Sequence, residues 1–197
     1  MKSGVMLRII IAIMCGSVFA LLYIQFLPPG KGTMKSAGAL EEIRKDQTVK
    51  PKIPQSLKLE HEELHAELAK AVKAGGATGS AAEIVAKLLH PHFVKEEEYA
   101  LPPLGLMSLL AEGKVTPEME GVLEMTDKLK VELPRMLEEH HNIVEALKKL
   151  SAAAEKEKKT EYVRFAEKLM LHARNEEEVL YPAAILVGEY IKLKLNK

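Results

Sequence analysis

Residues 92–102 read HFVKEEEYALP, and residues 172–182 read HARNEEEVLYP. Both stretches follow the frame H-x3-EEE-x3-P, and the second begins 80 residues after the first. Each is preceded by a Glu-His pair, Glu60-His61 in one case and Glu139-His140 in the other, with aliphatic residues three and seven positions after the histidine. The chain therefore contains two copies of one helical hairpin, in which an EH helix is followed by an H-x3-E helix.

The chain from residue 55 onward has the periodicity of amphipathic helices, and no alternating β-branched run predicts a strand. Helices are predicted at residues 56–73, 80–100, 116–152 and 159–181. Ser80 is the predicted N-cap of the second helix, and Pro102-Pro103 is expected to end it. Residues 101–115 are expected to connect the hairpins, with a short helix over the bundle end as one option. The last helix either continues past Pro182 or is followed by a fifth short helix. The pattern predicts an all-α, antiparallel four-helix bundle.

Histidine falls on the apolar face of every predicted helix, and glutamate does so on two of them. The polar residues at these predicted core positions are His61, His92, Glu96, His140, His172 and Glu176. Burying a carboxylate or a cation without a partner costs several kcal/mol. A single such histidine is more often a hydrogen-bonded core residue. Four histidines and two glutamates, distributed over all four helices, favour a metal centre, because a bound ion supplies the partner directly.

The first thirty residues differ in composition from the bundle. Residues 9–27, IIIAIMCGSVFALLYIQFL, carry no charge and would span about 28 Å as a helix, close to the hydrocarbon thickness of a bilayer. This run exceeds the roughly 7–15 apolar residues of a signal peptide, so we expect an uncleaved single-pass membrane anchor. Cations flank both ends, which leaves the side of the membrane open. The predicted domains are a transmembrane anchor (1–30), a linker (31–54) and the bundle (55–197).

Composition excludes several classes of function. The chain has 28 basic and 28 acidic residues, whereas proteins that grip phosphate backbones usually carry a basic excess, so nucleic acid is not an expected partner. The one cysteine excludes an intramolecular disulfide and a CxxC metal or redox motif. No GxSxG elbow or glycine-rich phosphate loop supports hydrolase or nucleotide chemistry.

The paired H-x3-EE-x4-P frames and paired EH helices resemble the hemerythrin-like, or HHE cation-binding, family over about residues 55–190. The resemblance implies a four-helix bundle that holds a non-haem di-iron centre. Manganese or zinc would also suit imidazole and carboxylate ligands. The ligands that the resemblance implies are His61, His92, Glu96, His140, His172 and Glu176, with the two glutamates placed to bridge the ions.

The sequence departs from the oxygen-carrying hemerythrins, which have two histidines at i and i+4 on the third helix and an acidic residue five positions after the last histidine. Here His140 and His141 are adjacent and lie about 100° apart on a helix, so both cannot point inward. His140 is preferred because it falls within the apolar stripe. Glu176, four residues after His172, is preferred over Glu177 on the same geometric ground. These differences weigh against stable, reversible carriage of O2.

Other polar residues lie near the predicted centre. His65 shares the inward face of the first helix and remains open as an additional ligand. His141 is expected beside the ligands rather than among them, although direct ligation also stays open. His90 is expected at the surface. For Tyr99 and Tyr181, ordinary packing is favoured over hydrogen bonding near the site.

Taken together, the predicted anchor and the resemblance lead us to expect a membrane-tethered protein that binds or senses O2 or a related small molecule at a di-iron centre. Two alternatives remain open at this point. One is a di-iron oxidoreductase acting on peroxide, nitric oxide or O2. The other is a non-catalytic helical scaffold with structural zinc. The protein partner is not readable from the residues.

Overall fold

The computed structural model describes residues 51–197, and all the regular structure in this range is helical. The predicted anchor at residues 1–30 and most of the predicted linker at 31–54 lie outside the described residues. Among residues 51–197, no helix combines the length and the apolar character needed to cross a membrane. The α-helices in this part of the chain are α1 (Gln55–Lys73), α2 (Gly76–Lys95), α3 (Met107–Ala111), α4 (Gly121–Lys156), α5 (Thr160–Asn175) and α6 (Tyr181–Leu195).

The four long helices α1, α2, α4 and α5 pack around one core. Helix α2 packs against both α1 and α4, and α5 packs against both α4 and α1, so the four helices form a closed ring of neighbours. Only a few residues join α1 to α2 and α4 to α5, and connections this short make consecutive helices antiparallel. The all-α prediction is confirmed, and the packing is consistent with a four-helix bundle.

Helix α2 begins at Gly76, four residues before the predicted N-cap at Ser80. No side chain of its own segment caps it. Instead, the Glu157 carboxylate reaches it from the end of α4 and accepts hydrogen bonds from the Ala77 amide at 2.7 Å and the Thr78 hydroxyl at 2.7 Å. A carboxylate at this end satisfies free N–H groups and complements the helix dipole. The Ser80 prediction was wrong because the cap comes from 80 residues away.

Each H-x3-E helix changes its hydrogen-bond pattern at the glutamate. Residues Glu96–Ala100 and Glu176–Leu180 form single π-helical turns, in which the amides of Leu101 and Tyr181 donate to the carbonyls of Glu96 and Glu176, five residues earlier. The chain remains helical after the second turn and runs through α6, so the last helix continues past Pro182. A π turn adds a residue to one turn of helix, which rotates every later side chain relative to the α-helical phase.

The rotation is visible in which residues are buried. The α-helical stripe that contains His172 and Glu176 predicts Val179 as the next core residue, but Val179 is 53% exposed and Tyr181 is fully buried. At 100° per residue, Tyr181 would lie about 140° from Glu176. The π turn brings it onto the same face, which is why the tyrosine enters the core.

The connection between the hairpins contains a short helix, which was one option for this segment. Residues Pro102–Leu106 form a 3₁₀ turn that packs against α6, and α3 follows directly. Pro102, Pro103 and Leu104 are buried in this turn. A further 3₁₀ turn at Pro117–Glu120 leads into α4.

The apolar core is divided into clusters along the bundle axis. On α4, Met136 belongs to one cluster and Ile143 to another, and His140 lies between them. On α1, Leu57 packs against the first cluster and Leu64 belongs to the second, with His61 between them. The histidines therefore occupy a polar layer between two apolar layers.

Candidate metal centre

The structure brings all six predicted site residues together in the polar layer. Each of the four long helices contributes one histidine, and each π turn contributes its first residue. None is more than 4% exposed: they are His61, His92, Glu96, His140, His172 and Glu176. Six ionisable side chains are thus buried at one level of a bundle whose neighbouring layers are apolar.

The two glutamates lie between the histidines. Glu176 Oε1 is 3.1 Å from His172 Nε2 and 3.5 Å from His61 Nε2, while its Oε2 is 3.4 Å from His140 Nε2. Glu96 Oε1 is 3.3 Å from His92 Nε2. Each carboxylate therefore has one oxygen close to a histidine of its own helix. The same oxygen of Glu176 also approaches His61 of the other hairpin, and its second oxygen faces His140 of its own hairpin.

These atoms form two groups with metal-ligand spacing. The first group, called here the tyrosine-side half because Tyr181 adjoins it, contains His92, Glu96, His140 and Glu176. The second, called the phenylalanine-side half because Phe93 adjoins it, contains His61, His172 and Glu176. Glu176 belongs to both halves, so one carboxylate connects the two positions.

In every histidine of the cluster, the Nδ1 atom contacts the carboxylate of a further glutamate, called here an outer glutamate. The Nδ1 atoms of His61 and His140 are 3.3 Å and 2.9 Å from carboxylates on the adjacent helix of the same hairpin. Those of His92 and His172 are 3.0 Å and 3.1 Å from carboxylates of the other hairpin. Taken in the same order, the outer residues are Glu97, Glu177, Glu139 and Glu60. A carboxylate on Nδ1 fixes the ring so that Nε2 faces inward, as in most protein metal sites.

The inward atoms fit a bound cation. Five buried polar atoms have no hydrogen-bond partner within residues 51–197: His61 Nε2, His172 Nε2, Glu96 Oε2 and both oxygens of Glu176. Buried polar groups in native proteins are nearly always paired, so this concentration is unusual. All five are nitrogen or oxygen donors of the kind that iron, manganese and zinc accept. The residues present therefore fit the metal that the resemblance implies.

The pKa values of the two buried carboxylates, Glu96 and Glu176, are shifted in opposite directions. Burial and the neighbouring Glu176 charge raise the pKa of Glu96. Burial also acts to raise the pKa of Glu176, but the nearby imidazoles of His140, His172 and His61 outweigh it and hold that pKa well below its usual range. Burial lowers the pKa of His172, yet the Glu176 carboxylate 3.1 Å away prevails and the pKa reaches about 9. A bound cation would allow both carboxylates to be charged at once.

The other histidines lie outside the cluster. His65 is half-buried, and its ring contacts the rings of Phe93 and His90 at centroid distances of 4.9 Å and 6.1 Å. Neither group of candidate ligand atoms includes it. His141 and His90 are exposed. Of the adjacent residues His140 and His141 in α4, His140 is the one that points inward.

The structure separates the two tyrosines that were expected to pack in the same way. The Tyr99 hydroxyl donates to the Met136 sulfur at 3.5 Å. The Tyr181 hydroxyl donates a hydrogen bond to Glu96 Oε1 and lies 3.4 Å from His92 Nε2. Burial and the nearby carboxylates raise the pKa of Tyr181, which keeps the phenol neutral. The packing interpretation was wrong for Tyr181, because the π turn rotates it into the polar layer.

Comparison with known families agrees with this geometry. The family model described as Hemerythrin HHE cation binding domain matches residues 52–184, which is more than half of the chain. This chain belongs to the hemerythrin HHE cation-binding family. Searches among curated proteins and among solved structures found no significant match. Family membership and the buried histidine–glutamate cluster together support metal binding by this hemerythrin domain.

Sequence reasoning missed the outer glutamates of the hemerythrin domain. Within the EEE runs only Glu96 and Glu176 were given a role, and the glutamate of each EH pair received none. The signal was present in the repeat, because both copies keep a glutamate directly before the first histidine and a second glutamate directly after the inward one. Glu60, Glu139, Glu97 and Glu177 occupy these repeated positions.

Proposed function

We propose that this protein is a membrane-tethered hemerythrin-like protein whose bundle holds a non-haem di-iron centre and binds or senses O2 or a related small molecule. One observation carries the proposal. Four histidine Nε2 atoms and two carboxylates converge in a buried layer, and every Nδ1 atom is fixed by an outer glutamate. This arrangement fits two adjacent cations better than a structural hydrogen-bond network, because five of its polar atoms lack hydrogen-bond partners without a bound ion.

The two halves would each hold one ion. His92, His140 and Glu96 would bind the ion of the tyrosine-side half, and His61 and His172 would bind that of the phenylalanine-side half. Glu176 would contribute to both. When bound, iron supplies a centre that can coordinate a small molecule and change oxidation state. The protein's own contribution is to orient the imidazoles through the outer glutamates and to exclude water by burial.

The ligand count favours an open coordination position. Two histidines and one carboxylate, the set offered by His61, His172 and Glu176, is a combination that non-haem iron sites use when positions are left for exogenous molecules. Structural zinc sites, in contrast, are usually closed by four protein ligands. The phenylalanine-side half therefore supports binding of a small molecule over a structural role. The same open position is compatible with the oxidoreductase alternative.

The first test is metal analysis of the full-length protein, purified without oxygen, with a visible spectrum recorded before and after exposure to air. We expect about two irons per chain and a new visible absorption in air. A His92→Ala/His172→Ala double variant that remains helical should lose both. A His141→Ala variant is the matched control, since it removes an exposed imidazole adjacent to the ligand His140 and should change neither.

The alternatives give different results in the same experiment. Zinc alone, with a spectrum that is insensitive to oxygen, would overturn the O2 proposal and favour the scaffold. Iron with sustained turnover of peroxide, nitric oxide or O2 in the presence of a reductant would favour the oxidoreductase. Iron that reacts once with air without turnover would support binding or sensing.

The tether is tested separately. Residues 9–27 contain no charge, which is the observation that supports a membrane anchor. We expect the full-length protein to remain with membranes after alkaline carbonate extraction, and a variant lacking residues 9–27 to be released. Release of the full-length protein would refute the tether without affecting the metal proposal.

A further inference from the structure

The two halves of the centre are not equivalent, although the sequence repeat that builds them is nearly symmetric. In the frame H-x3-EEE-x3-P, the residue before the proline is Leu101 in the first copy and Tyr181 in the second. Both side chains are buried, with exposures of 1% and 0%. The repeat thus places an apolar side chain at one of two related positions and a phenol at the other.

The Tyr181 oxygen approaches the ligand atoms of one half. It bonds to Glu96 Oε1, and it lies 3.4 Å from His92 Nε2 and 3.3 Å from His140 Nε2. The tyrosine ring also stacks on the His140 ring, with centroids 5.6 Å apart and planes inclined by 17°. Adjacent ligands of an octahedral ion with bonds of about 2.1 Å lie roughly 3 Å apart. The phenol oxygen therefore has the spacing of a group within reach of the same ion.

The other half has an apolar neighbour in place of a hydroxyl. The Phe93 ring stacks on the His61 ring at a centroid distance of 4.1 Å and an angle of 14°, and it lies 5.9 Å from the His172 ring. The residue that follows the histidine in the second copy is Ala173. The phenylalanine-side half is thus bordered by an aromatic ring that offers no ligand atom.

The inward nitrogens of the histidines follow the same division. His61 Nε2 and His172 Nε2 have no hydrogen-bond partner, whereas the Nε2 atoms of His92 and His140 have the Tyr181 hydroxyl within contact distance. Both halves have two histidines, so the histidines do not create this difference. Glu96 belongs only to the tyrosine-side half, and the Tyr181 hydroxyl adds a second polar group on that side.

We propose that Tyr181, beside Glu96, makes the two metal positions inequivalent, supplying a polar oxygen to the ion of the tyrosine-side half so that a small-molecule ligand binds the ion of the phenylalanine-side half. This inference rests on the proposed di-iron function and assigns the ligand to one ion of that centre. Tyr181 acts here as a positioning residue, because its hydroxyl limits access to one ion and leaves the other open.

The test is Mössbauer spectroscopy of the full-length protein loaded with ⁵⁷Fe and oxidised in air. The wild-type protein should give two iron signals with different quadrupole splittings. Tyr181→Phe keeps the buried ring and removes only the oxygen, and it should shift one signal while leaving the other in place. Tyr99→Phe is the matched control, because it removes a phenol oxygen that faces Met136, and its spectrum should match the wild type.

Azide then reports which ion is open. Added to the oxidised wild-type protein, azide should shift the signal that Tyr181→Phe leaves unchanged. A shift of the tyrosine-sensitive signal instead would overturn the assignment of the ligand.

Two further outcomes separate this inference from the function on which it rests. Two equivalent iron signals in the wild-type protein would overturn the role of Tyr181 without any variant, and so would a Tyr181→Phe spectrum that superposes on the wild type. In either case the di-iron proposal would stand. Failure of the wild-type protein to bind iron would overturn the proposed function itself.

Discussion

The outer glutamates should tune metal affinity, and Glu177 offers the cleanest measurement. Its carboxylate lies 2.9 Å from His140 Nδ1, and its side chain is 38% exposed. A hydrogen bond with a charged partner contributes about 1.5–3 kcal/mol, and a neutral one about 0.5–1.5 kcal/mol. Glu177→Gln keeps an amide oxygen for the Nδ1 proton but removes the charge. Because the site is partly exposed, we expect a loss of about 1–1.5 kcal/mol, which is a roughly five- to tenfold weaker ion affinity.

The assay is competition between the protein and a chelator for ferrous ion under anaerobic conditions. Glu177→Ala removes the acceptor as well as the charge and should weaken binding further, towards the roughly 100-fold upper range for such outer residues. Glu178→Gln, an identical change at the next, exposed residue, is the control and should leave affinity within about twofold. Equal losses in Glu177→Gln and Glu178→Gln would refute the reasoning, since a general charge effect would then explain both.

Three other predictions concern stability. Removing the metal should lower Tm by about 5–10 °C, because an ion at 100 times its Kd adds roughly 2.7 kcal/mol to the free energy of unfolding of a domain of this size. Calorimetry with and without chelator measures this shift, and an unchanged Tm would contradict the prediction. Glu157→Gln should lower Tm at neutral pH, since hydrogen bonds from Lys159 and Thr78 hold the pKa of this carboxyl at about 2. A depressed pKa gives stability that is complete above about pH 4.5 and lost as the pH falls towards 2, so the difference from wild type should shrink over that window; a pH-independent difference would rule out the charge as its cause. Gly188→Ala should lower the free energy of unfolding in urea by up to about 2 kcal/mol, because the added Cβ would overlap Thr126 Oγ1 and this overlap outweighs the gain in helix propensity. A stabilised variant would show that α4 and α6 separate easily.

The helices and the inward residues were predictable because they are local properties. The 3.6-residue period places His61 with Leu64 and Leu68 on one face whatever the rest of the chain does, and burial then selects that face. The repeat strengthened the choice, since His140 has the same neighbours in the second copy. These predictions required no knowledge of which helix lies next to which.

Predictions failed where the helix departed from that period. A π turn differs from an α turn by one hydrogen-bond partner, so its position follows from what surrounds the helix rather than from local propensity. The turn at Glu176–Leu180 moved Val179 out of the core and Tyr181 into it. A helical wheel drawn at 100° per residue therefore gives the wrong phase for every residue after Glu176.

By itself, the sequence determined the all-helical class, the twofold repeat and the six polar residues that are buried together, because periodicity and the cost of burying charge act on each helix separately. Only the tertiary structure decided which side chains meet across helices. Glu60 holds His172 from 112 residues away, and Glu157 caps a helix of the other hairpin. Such pairs depend on how the helices are placed against each other in space, which periodicity along one helix does not encode.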